Sequence, residues 1–223
     1  MVLATAWRSL HFQHSANIIW PTYITYLNRL LIQQATAVTN SLLYHEPQHG
    51  RWQRPFGYWH THHLIARARG SVLVVQQPRW PLRQILLVVR GEAGDETAVL
   101  WAKTLAQASG ATVAIMPIIP ACPGMYQMGN EVQARLDILL QPNTISGQRL
   151  NSYKDQLEQA DVPYHFCQQS GSPDQQIQQK VTEMEPDLIV VGAERHGRLQ
   201  RWYLGEIVGP LLRWIDRPLL VAN

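Results

Sequence analysis

Cysteine is scarce in this chain of 223 residues, which carries only Cys122 and Cys167. Two cysteines do not form the disulfide framework of a small secreted protein, and their separation lacks the spacing of metal ligands. Cys167 lies in an apolar strand pattern, which favours a small buried hydrophobe over a nucleophile. A reducing compartment is the default for such a chain, so we expect a cytoplasmic location.

Long apolar stretches are missing as well. No window reaches the 18 consecutive apolar residues that indicate a membrane-spanning helix. The best candidate, residues 18–44, is broken by Pro21, Arg29 and several polar residues. The first ten residues carry Arg8 and lack a small-residue cleavage site, which is untypical of a signal peptide. We therefore expect no membrane span.

Acidic residues are nearly absent from the first part of the chain. Residues 1–91 hold nine arginines, no lysine and one acid, Glu46, and stand at +8; residues 92–223 hold ten basic and fifteen acidic residues and stand at −5. Such a basic surface either docks on its acidic neighbour or binds nucleic acid or acidic lipid. The arginines are scattered, and aromatic residues do not interleave with them in an RNA-binding motif. We therefore favour docking and expect no nucleic-acid partner.

The chain does contain a sequence that occurs twice. Residues 49–54 (HGRWQR) recur 147 positions later as residues 196–201 (HGRLQR). Residues 71–74 (SVLV) correspond to residues 218–221 (PLLV) at the same offset. An offset of this size is too long for a solenoid repeat and indicates a tandem duplication of one globular domain.

The two copies differ in completeness. Only 48 residues precede the first copy of the motif, whereas 112 separate Gln84 from the second. The sequence therefore predicts a truncated, degenerate first copy in residues 1–76, a linker in residues 77–83 and a complete domain in residues 84–223. A fragment of about 70 residues with so little sheet buries too little apolar surface to fold alone. We expect the apolar helix face of the first copy to pack on the second domain or on a partner, or to stay mobile.

Strands and helices alternate after Gln84, and the continuous apolar runs are typical of strands buried on both faces of a parallel sheet. Five strands are expected, at residues 85–89, 111–119, 162–168, 187–192 and 218–222. Helices are expected at about residues 95–108, 130–140, 146–160 and 204–215, with a further helix opened by Ser172, Pro173 and Asp174. The pattern predicts an α/β fold with a doubly wound, five-stranded parallel sheet.

A helical and strand remnant of the other copy is expected before this domain. Apolar steps of three and four residues from Ile24 to Leu42 indicate one helix. A second helix is expected at residues 58–68, leading to a strand at residues 71–76. Residues 41–44 are expected to be a relic of the fourth strand.

A family resemblance is carried, in chain order, by residues 85–91, the turn at 170–173 (SGSP), residues 186–192 (PDLIVVG), Gly205 and residues 218–221 (PLLV). Together they resemble the universal stress protein family over essentially all of residues 84–223. The resemblance implies the adenine nucleotide alpha hydrolase-like version of the doubly wound fold. Residues 70–89 also look like the junction in tandem family members, which implies the tandem type with a truncated first copy.

The resemblance implies a nucleotide loop, from which this sequence departs. Nucleotide-binding members have Gly, two residues, Gly, nine residues, then Gly and Ser or Thr, because small residues let backbone N–H groups approach phosphates. Gly192 and Gly205 keep the outer positions, whereas Arg195 replaces the middle glycine and Glu206 the hydroxyl. A carboxylate about 4 Å from a phosphate charge opposes binding by roughly 4 kcal/mol at an effective dielectric near 20.

The end of the first strand of this domain departs from the family pattern too. Nucleotide-binding relatives carry an aspartate there that contacts the adenosine, whereas this chain carries Arg90, followed by the retained Gly91. The candidate cofactor site, interpreted as a vestigial nucleotide loop, therefore comprises Arg90, Gly91, Gly192, Arg195, Gly205 and Glu206. We expect no cofactor, with ATP binding as the disfavoured alternative.

Other polar clusters do not indicate a catalytic or metal site. His60, His62 and His63 have no Cys, Asp or Glu near them in sequence and fit a solvated helix better than a metal site. His196 and Arg198 fit the solvated rim of a vestigial loop better than an anion site. The sequence lacks the motifs of common catalytic sites: a Walker loop, an ATP-pyrophosphatase loop, a Ser-His-Asp order and paired catalytic carboxylates. We therefore expect no enzyme and no metal.

The expected function is that of a non-catalytic module acting in stress response or regulation through an unidentified protein partner. Two alternatives stay open: a cytoplasmic regulatory domain derived from the tail of a cation/proton antiporter, and an adenine-nucleotide sensor. The apolar strand from Pro218 to Ala222 is expected at a sheet edge, where family members often dimerise and where bare apolar strands invite pairing. A homodimer through that edge is expected, with residues 71–76 as an intramolecular competitor.

Overall fold

The computed structural model describes residues 43–45, 65, 68, 70–77, 79, 81–118, 140–167, 172–193 and 205–223. The expected helices at 24–42, 58–68 and 130–140 lie almost entirely outside these residues, as does the Pro/Gly/Met-rich loop that follows residue 119. Among the described residues, no helix combines the length and apolar character that crossing a membrane requires.

The described strands form one sheet. They are β1 (Leu43–His45), β2 (Val72–Val74), β3 (Gln84–Val89), β4 (Thr112–Pro117), β5 (Tyr164–Phe166), β6 (Leu188–Gly192) and β7 (Leu219–Ala222). Their order in the sheet is β1-β2-β7-β6-β3-β4-β5. Every neighbouring pair is parallel except β2 and β7, which are antiparallel.

The last five strands make a doubly wound arrangement. The chain runs from the central β3 outward through β4 to β5, then returns to the other side of β3 for β6 and β7. These are the five strands expected from the sequence, and their parallel pairing is confirmed. β1 and β2, from the segment expected to be a remnant of the first copy, extend the described sheet to seven strands, and β2 is antiparallel to β7.

Four helices cover this sheet in the described residues: α1 (Glu96–Ser109), α2 (Ile145–Glu158), α3 (Pro173–Met184) and α4 (Gly205–Trp214). The side chains of β3 alternate between two core layers. Ile85, Leu87 and Val89 face the layer that contains α1 and α2, whereas Leu86 and Val88 face the layer that contains α3 and α4. Burial on both faces explains why β3 is a continuous apolar run.

The helix ends follow local sequence signals. Gly110 ends α1 in the left-handed region, at φ +73°, and its N–H donates to Ala106 O over 2.8 Å. Thr144 begins α2, where its Oγ1 accepts from the Gly147 N–H at 2.9 Å. At the start of α3, the backbone N–H of Ser172 donates to Gln175 Oε1 at 3.2 Å, which confirms the predicted helix start.

The strand from Pro218 to Ala222 is not at a sheet edge, and that expectation is wrong. β7 lies between β6 and β2, the intramolecular competitor, so a second copy has no open edge to pair with there. The physical reason is that β2 supplies an apolar strand from the same chain, with Val72 and Val74 both 1% exposed. That the chain forms a homodimer stays a prediction, without an interface assigned to it.

Candidate functional site

The candidate site is the crevice at the carboxyl ends of β3 and β6. In a doubly wound sheet, ligands bind where the strand order reverses, outside the carboxyl ends of the strands. Here that point lies between β3, which continues to β4, and β6, which continues to β7. Val88 stands opposite Val191 in the two strands, so the segments after Val89 and Gly192 meet at this edge.

The segment after β3 folds into a tight turn around the Asp95 carboxylate. Gly91 adopts φ +74°, and the turn continues into one 3₁₀ turn at Ala93–Asp95. Asp95 Oδ2 accepts from the backbone N–H of Arg90 at 2.6 Å and of Glu92 at 3.1 Å. The Asp95 side chain is 1% exposed. A carboxylate from the chain itself therefore occupies the backbone donors of this turn.

The Arg90 side chain joins the two strands across the crevice. Its Nη2 atom donates to Gly192 O at 3.3 Å and lies 3.6 Å from Asp95 Oδ1. Its Nε atom lies 3.9 Å from Glu92 Oε2. With 14% of the side chain exposed, this guanidinium is part of the packed edge rather than a free surface charge.

Gly192 is needed by this internal packing. A Cβ atom at position 192 would lie 2.6 Å from the carbonyl oxygen of Gly94 and 3.0 Å from Asp95 Oδ1. Gly94 is tight in turn, since its own Cβ would lie 3.2 Å from Ala193 O. The turn after β3 therefore lies directly on the end of β6, and a glycine at position 192 is explained without a phosphate.

Helix α2 holds the same turn from the other side. A Cβ at Gly91 would lie 2.9 Å from Ser146 Cβ. Arg149 Nη1 donates to Gly91 O at 3.3 Å, and Tyr153 Oη donates to Glu92 O at 3.0 Å. Gly91 is thus required for its positive φ and for close contact with α2.

Burial controls the titration of the groups in the crevice. It raises the pKa of the Asp95 carboxyl above its ordinary value, against the opposing hydrogen bonds from the backbone and the Arg90 charge. Burial, with the negative charge of Asp95, also raises the pKa of Tyr153. Outside the crevice, burial raises the pKa of Cys167 to about 11, as expected for a buried hydrophobe.

The structure brings together three of the six predicted site residues. Arg90, Gly91 and Gly192 meet at the crevice. Gly205 begins α4 and Glu206 follows in its first turn, while the Glu206 side chain and all of Arg195 lie outside the described residues. His60, His62, His63, His196 and Arg198 lie outside them too. Among the residues that the structure describes, no three metal-ligating side chains form a cluster.

Sequence reasoning missed Asp95, Arg149 and Tyr153 as part of this edge. An acidic residue at the start of a predicted helix was the available signal for Asp95. Arg149 and Tyr153 contact positions 58 and 61 residues earlier in the chain. Nothing in the local sequence of α2 points to that contact.

Comparison with solved structures identifies the fold. A universal stress protein from Archaeoglobus fulgidus DSM 4304 is 14% identical to this chain in sequence and superposes with a TM-score of 0.56. The match covers 86% of this chain and 64% of the Archaeoglobus chain. A functionally unknown protein from Pseudomonas aeruginosa PAO1 is 15% identical with a TM-score of 0.56, covering 88% of this chain and 67% of its own. This chain thus spans about two thirds of their length.

A universal stress protein family protein from Arabidopsis thaliana, solved with AMP bound, is 14% identical and covers 63% of this chain and 90% of its own. Because its TM-score is only 0.42, this match implies nothing about AMP binding by this chain. A search of curated proteins returns no significant match. The family model described as the universal stress protein family matches residues 81–223. With the doubly wound sheet and the glycines at the ends of β3 and β6, this match shows that the chain belongs to the universal stress protein family.

Proposed function

We propose that this chain is a non-catalytic universal stress protein module that acts in stress response or regulation through protein contacts, without ATP. The observation that supports the proposal most directly is the filled crevice between β3 and β6. Gly94 lies on Gly192, and the Arg90 guanidinium donates to the Gly192 carbonyl. The cytoplasmic location expected from the low cysteine content belongs to the same proposal.

The expectation that ATP does not bind is supported by the groups at the end of β3. Phosphates in such folds are held by backbone N–H groups near the strand ends. In this chain the Asp95 carboxylate accepts from the backbone N–H groups of Arg90 and Glu92, at the strand end where nucleotide-binding family members contact the adenosine. An adenosine bound there would have to break these buried hydrogen bonds, which costs free energy.

The absence of catalysis rests on the same groups. Asp95 is the buried acid of the crevice, and its Oδ2 atom is engaged by two backbone donors. Tyr153 is engaged as a donor to the Glu92 carbonyl. A general acid or base must reach a substrate proton within hydrogen-bonding distance. Both side chains hold the turn instead, which supports a structural role.

Calorimetric titration of the purified chain with ATP and Mg²⁺ tests the proposal. We expect no binding at physiological concentration, and a dissociation constant of about 10 µM or tighter would overturn the proposal in favour of an adenine-nucleotide sensor. The double variant Arg195→Gly with Glu206→Ser restores the glycine and hydroxyl of the loop, but not the aspartate at position 90, and should recover some affinity if the loop backbone is otherwise competent.

A matched control removes the same two charges elsewhere. Arg79 and Glu185 form an ion pair at 2.8 Å, close to the amino ends of β3 and β6. The double variant Arg79→Gly with Glu185→Ser should leave nucleotide affinity unchanged. A gain in both double variants would reflect a general effect of removing charged side chains rather than the loop, since neither double variant changes the net charge.

A further inference from the structure

The segment that joins β2 to β3 passes the amino ends of two other strands. β2 ends beside the start of β7, since Val74 stands opposite Leu219. β3 begins beside the start of β6, since Ile85 stands opposite Leu188. Because β7 and β6 lie between β2 and β3 in the sheet, residues 75–83 run past the amino ends of both. We call residues 75–83 the strap.

The length of the strap does not fix its path. Crossing from β2 to β3 takes three steps between neighbouring strands, or about 14 Å at roughly 4.8 Å each. The nine residues of the strap can reach about 30 Å when extended. The strap therefore has slack, and specific contacts must hold it in place. Near its two ends Val75 and Leu82 are buried.

Backbone hydrogen bonds hold the end of the strap that leads into β3. Asp187, just before β6, accepts at Oδ2 from the backbone N–H of Arg83 at 2.8 Å and of Gln84 at 3.0 Å. The Asp187 N–H donates to the Gln84 carbonyl at 3.0 Å. The start of β3 therefore stays attached to β6 whatever the middle of the strap does.

An ion pair holds the middle of the strap. Arg79 Nη1 donates to Glu185 Oε2 at 2.8 Å. The other oxygen of this carboxylate, Oε1, lies 3.8 Å from Nη2 of Arg217, which precedes β7 and whose side chain is 9% exposed. Glu185 itself follows the last residue of α3. One carboxylate thus links the strap, the end of α3 and the start of β7.

The backbone on both sides of this ion pair is strained. Glu185 has a φ of +48°, and Gln77, two residues before Arg79, has a φ of +37°. Residues other than glycine keep such left-handed conformations only where their surroundings hold them. Opening the middle of the strap lets Gln77 return to an ordinary conformation, so the strain favours release and the ion pair opposes it.

The ion pair responds to salt rather than to pH near neutrality. The hydrogen bond and charge of Arg79, with a smaller contribution from Arg217, hold the pKa of Glu185 below its ordinary value of 4.5, so the carboxylate is ionised at neutral pH. The side chains of Arg79 and Glu185 are 40% and 60% exposed. Dissolved ions screen exposed charges of this kind.

From these observations we infer that the strap is a salt-sensitive device: Glu185 fastens it at low ionic strength, and it opens at high ionic strength while β2 and β3 stay in the sheet. The junction between the segment assigned to the first copy and the main domain is then fixed or loose according to the ionic conditions. The inference concerns this junction and does not rest on the proposed function.

Hydrogen exchange followed by mass spectrometry of the full chain tests the fastening. At low salt, Glu185→Gln and Arg79→Gln should each speed exchange in residues 77–83 by about two- to fivefold, the range for losing an exposed ion pair. Arg79→Lys keeps the charge and should have a smaller effect. Glu183→Gln is the matched control, because it breaks the 3.6 Å ion pair with Lys180 on the same helix and should leave the strap unchanged.

Salt provides the second measurement. Between about 0.01 M and about 1 M NaCl the screening length falls from roughly 30 Å to roughly 3 Å. Exchange in residues 77–83 of the wild type should rise to the level of Glu185→Gln, which should itself change little. Exchange in β2 and β3 should stay constant throughout.

Three results would overturn the inference. Unchanged exchange in both Glu185→Gln and Arg79→Gln would show that the ion pair does not fasten the strap. An equal effect of Glu183→Gln would show a general loosening of α3. Faster exchange in β2 together with the strap would show that the whole preceding segment detaches, rather than the strap alone.

Discussion

At the scale of single residues, the glycines that made this chain resemble a nucleotide-binding protein are explained by internal contacts. Gly192 lies under the Gly94 carbonyl, and Gly91 combines a φ of +74° with close contact to Ser146. In a sequence, a glycine required by a ligand loop cannot be told from a glycine required by packing. The interatomic distances in the structure distinguish the two roles, because the contacting residues are distant in the chain.

A methyl group at position 192 is therefore expected to destabilise the fold. The atom it would meet at 2.6 Å is a backbone carbonyl oxygen, which cannot rotate away like a side chain. Gly192→Ala should lower the free energy of unfolding by about 3 kcal/mol, at the upper end for overpacking. Gly110→Ala, where nothing lies within 4 Å and only the positive φ is strained, should lower it by about 1 kcal/mol. Urea unfolding measures both, and an equal or smaller effect of Gly192→Ala would contradict the packing argument.

Asp95 gives a prediction about pH. Burial raises its pKa in the folded chain above the ordinary value of 3.8, so the folded state holds the proton more tightly than the unfolded state. As pH rises from 3.8 through the raised pKa, the unfolded chain loses its proton first, and the free energy of unfolding falls. The side chain of the Asp95→Asn variant does not titrate. The free energy of unfolding of the wild type should therefore fall relative to that of the variant over this pH range, and the difference between them should stay constant at higher pH. Urea unfolding at several pH values measures the difference, and a wild type that gains stability in this range would reverse the sign.

At the scale of elements, the local sequence predicted the strands of the main domain because most are short apolar runs between turn residues. β5 is the exception, since exposed His165 lies between two partly buried aromatic residues. Leu86 and Leu87 face opposite core layers, so β3 carries no alternation and its length and flanks decide its identity. The start of α3 was predicted from Ser172 and Pro173, whose preferences act within a few residues. Such signals need no tertiary information.

The pairing of β2 with β7 was beyond those signals. The two strands are about 147 residues apart in the sequence. The same apolar sequence can form an edge strand, an inner strand or a strand at a dimer interface. What settles its place is the neighbour it covers and the buried polar group beside it. Ser71, which accepts from Trp101 and Asn223, ties β2 to both α1 and the end of β7.

At the scale of the whole molecule, one sheet joins parts that the sequence analysis assigned to two copies. Within the described residues, β1 and β2 have no strand neighbour from the first copy beyond each other, and β2 joins the main domain by pairing with β7. The main domain has its own central strand and two core layers. β1 and β2, assigned to the first copy, thus depend on the main domain for their place in the sheet. In the described residues the main domain contacts this segment along β7, at Trp101 and through both core layers.

This asymmetry predicts different behaviour for the two fragments. Residues 1–80 should show no cooperative thermal transition, because β2 buries its apolar side chains in the core layers of the main domain. Residues 81–223 should unfold cooperatively, since they retain five strands and the four helices of the described core.

Without β2, the β7 edge of this fragment is open, and bare apolar edges pair. Its melting temperature should therefore rise with protein concentration, as for a dimer that unfolds to monomers. Scanning calorimetry at two concentrations, with sedimentation velocity, checks all three expectations. A cooperative transition from residues 1–80 would show that the first copy folds alone, and a monomeric 81–223 fragment would show that the β7 edge does not pair.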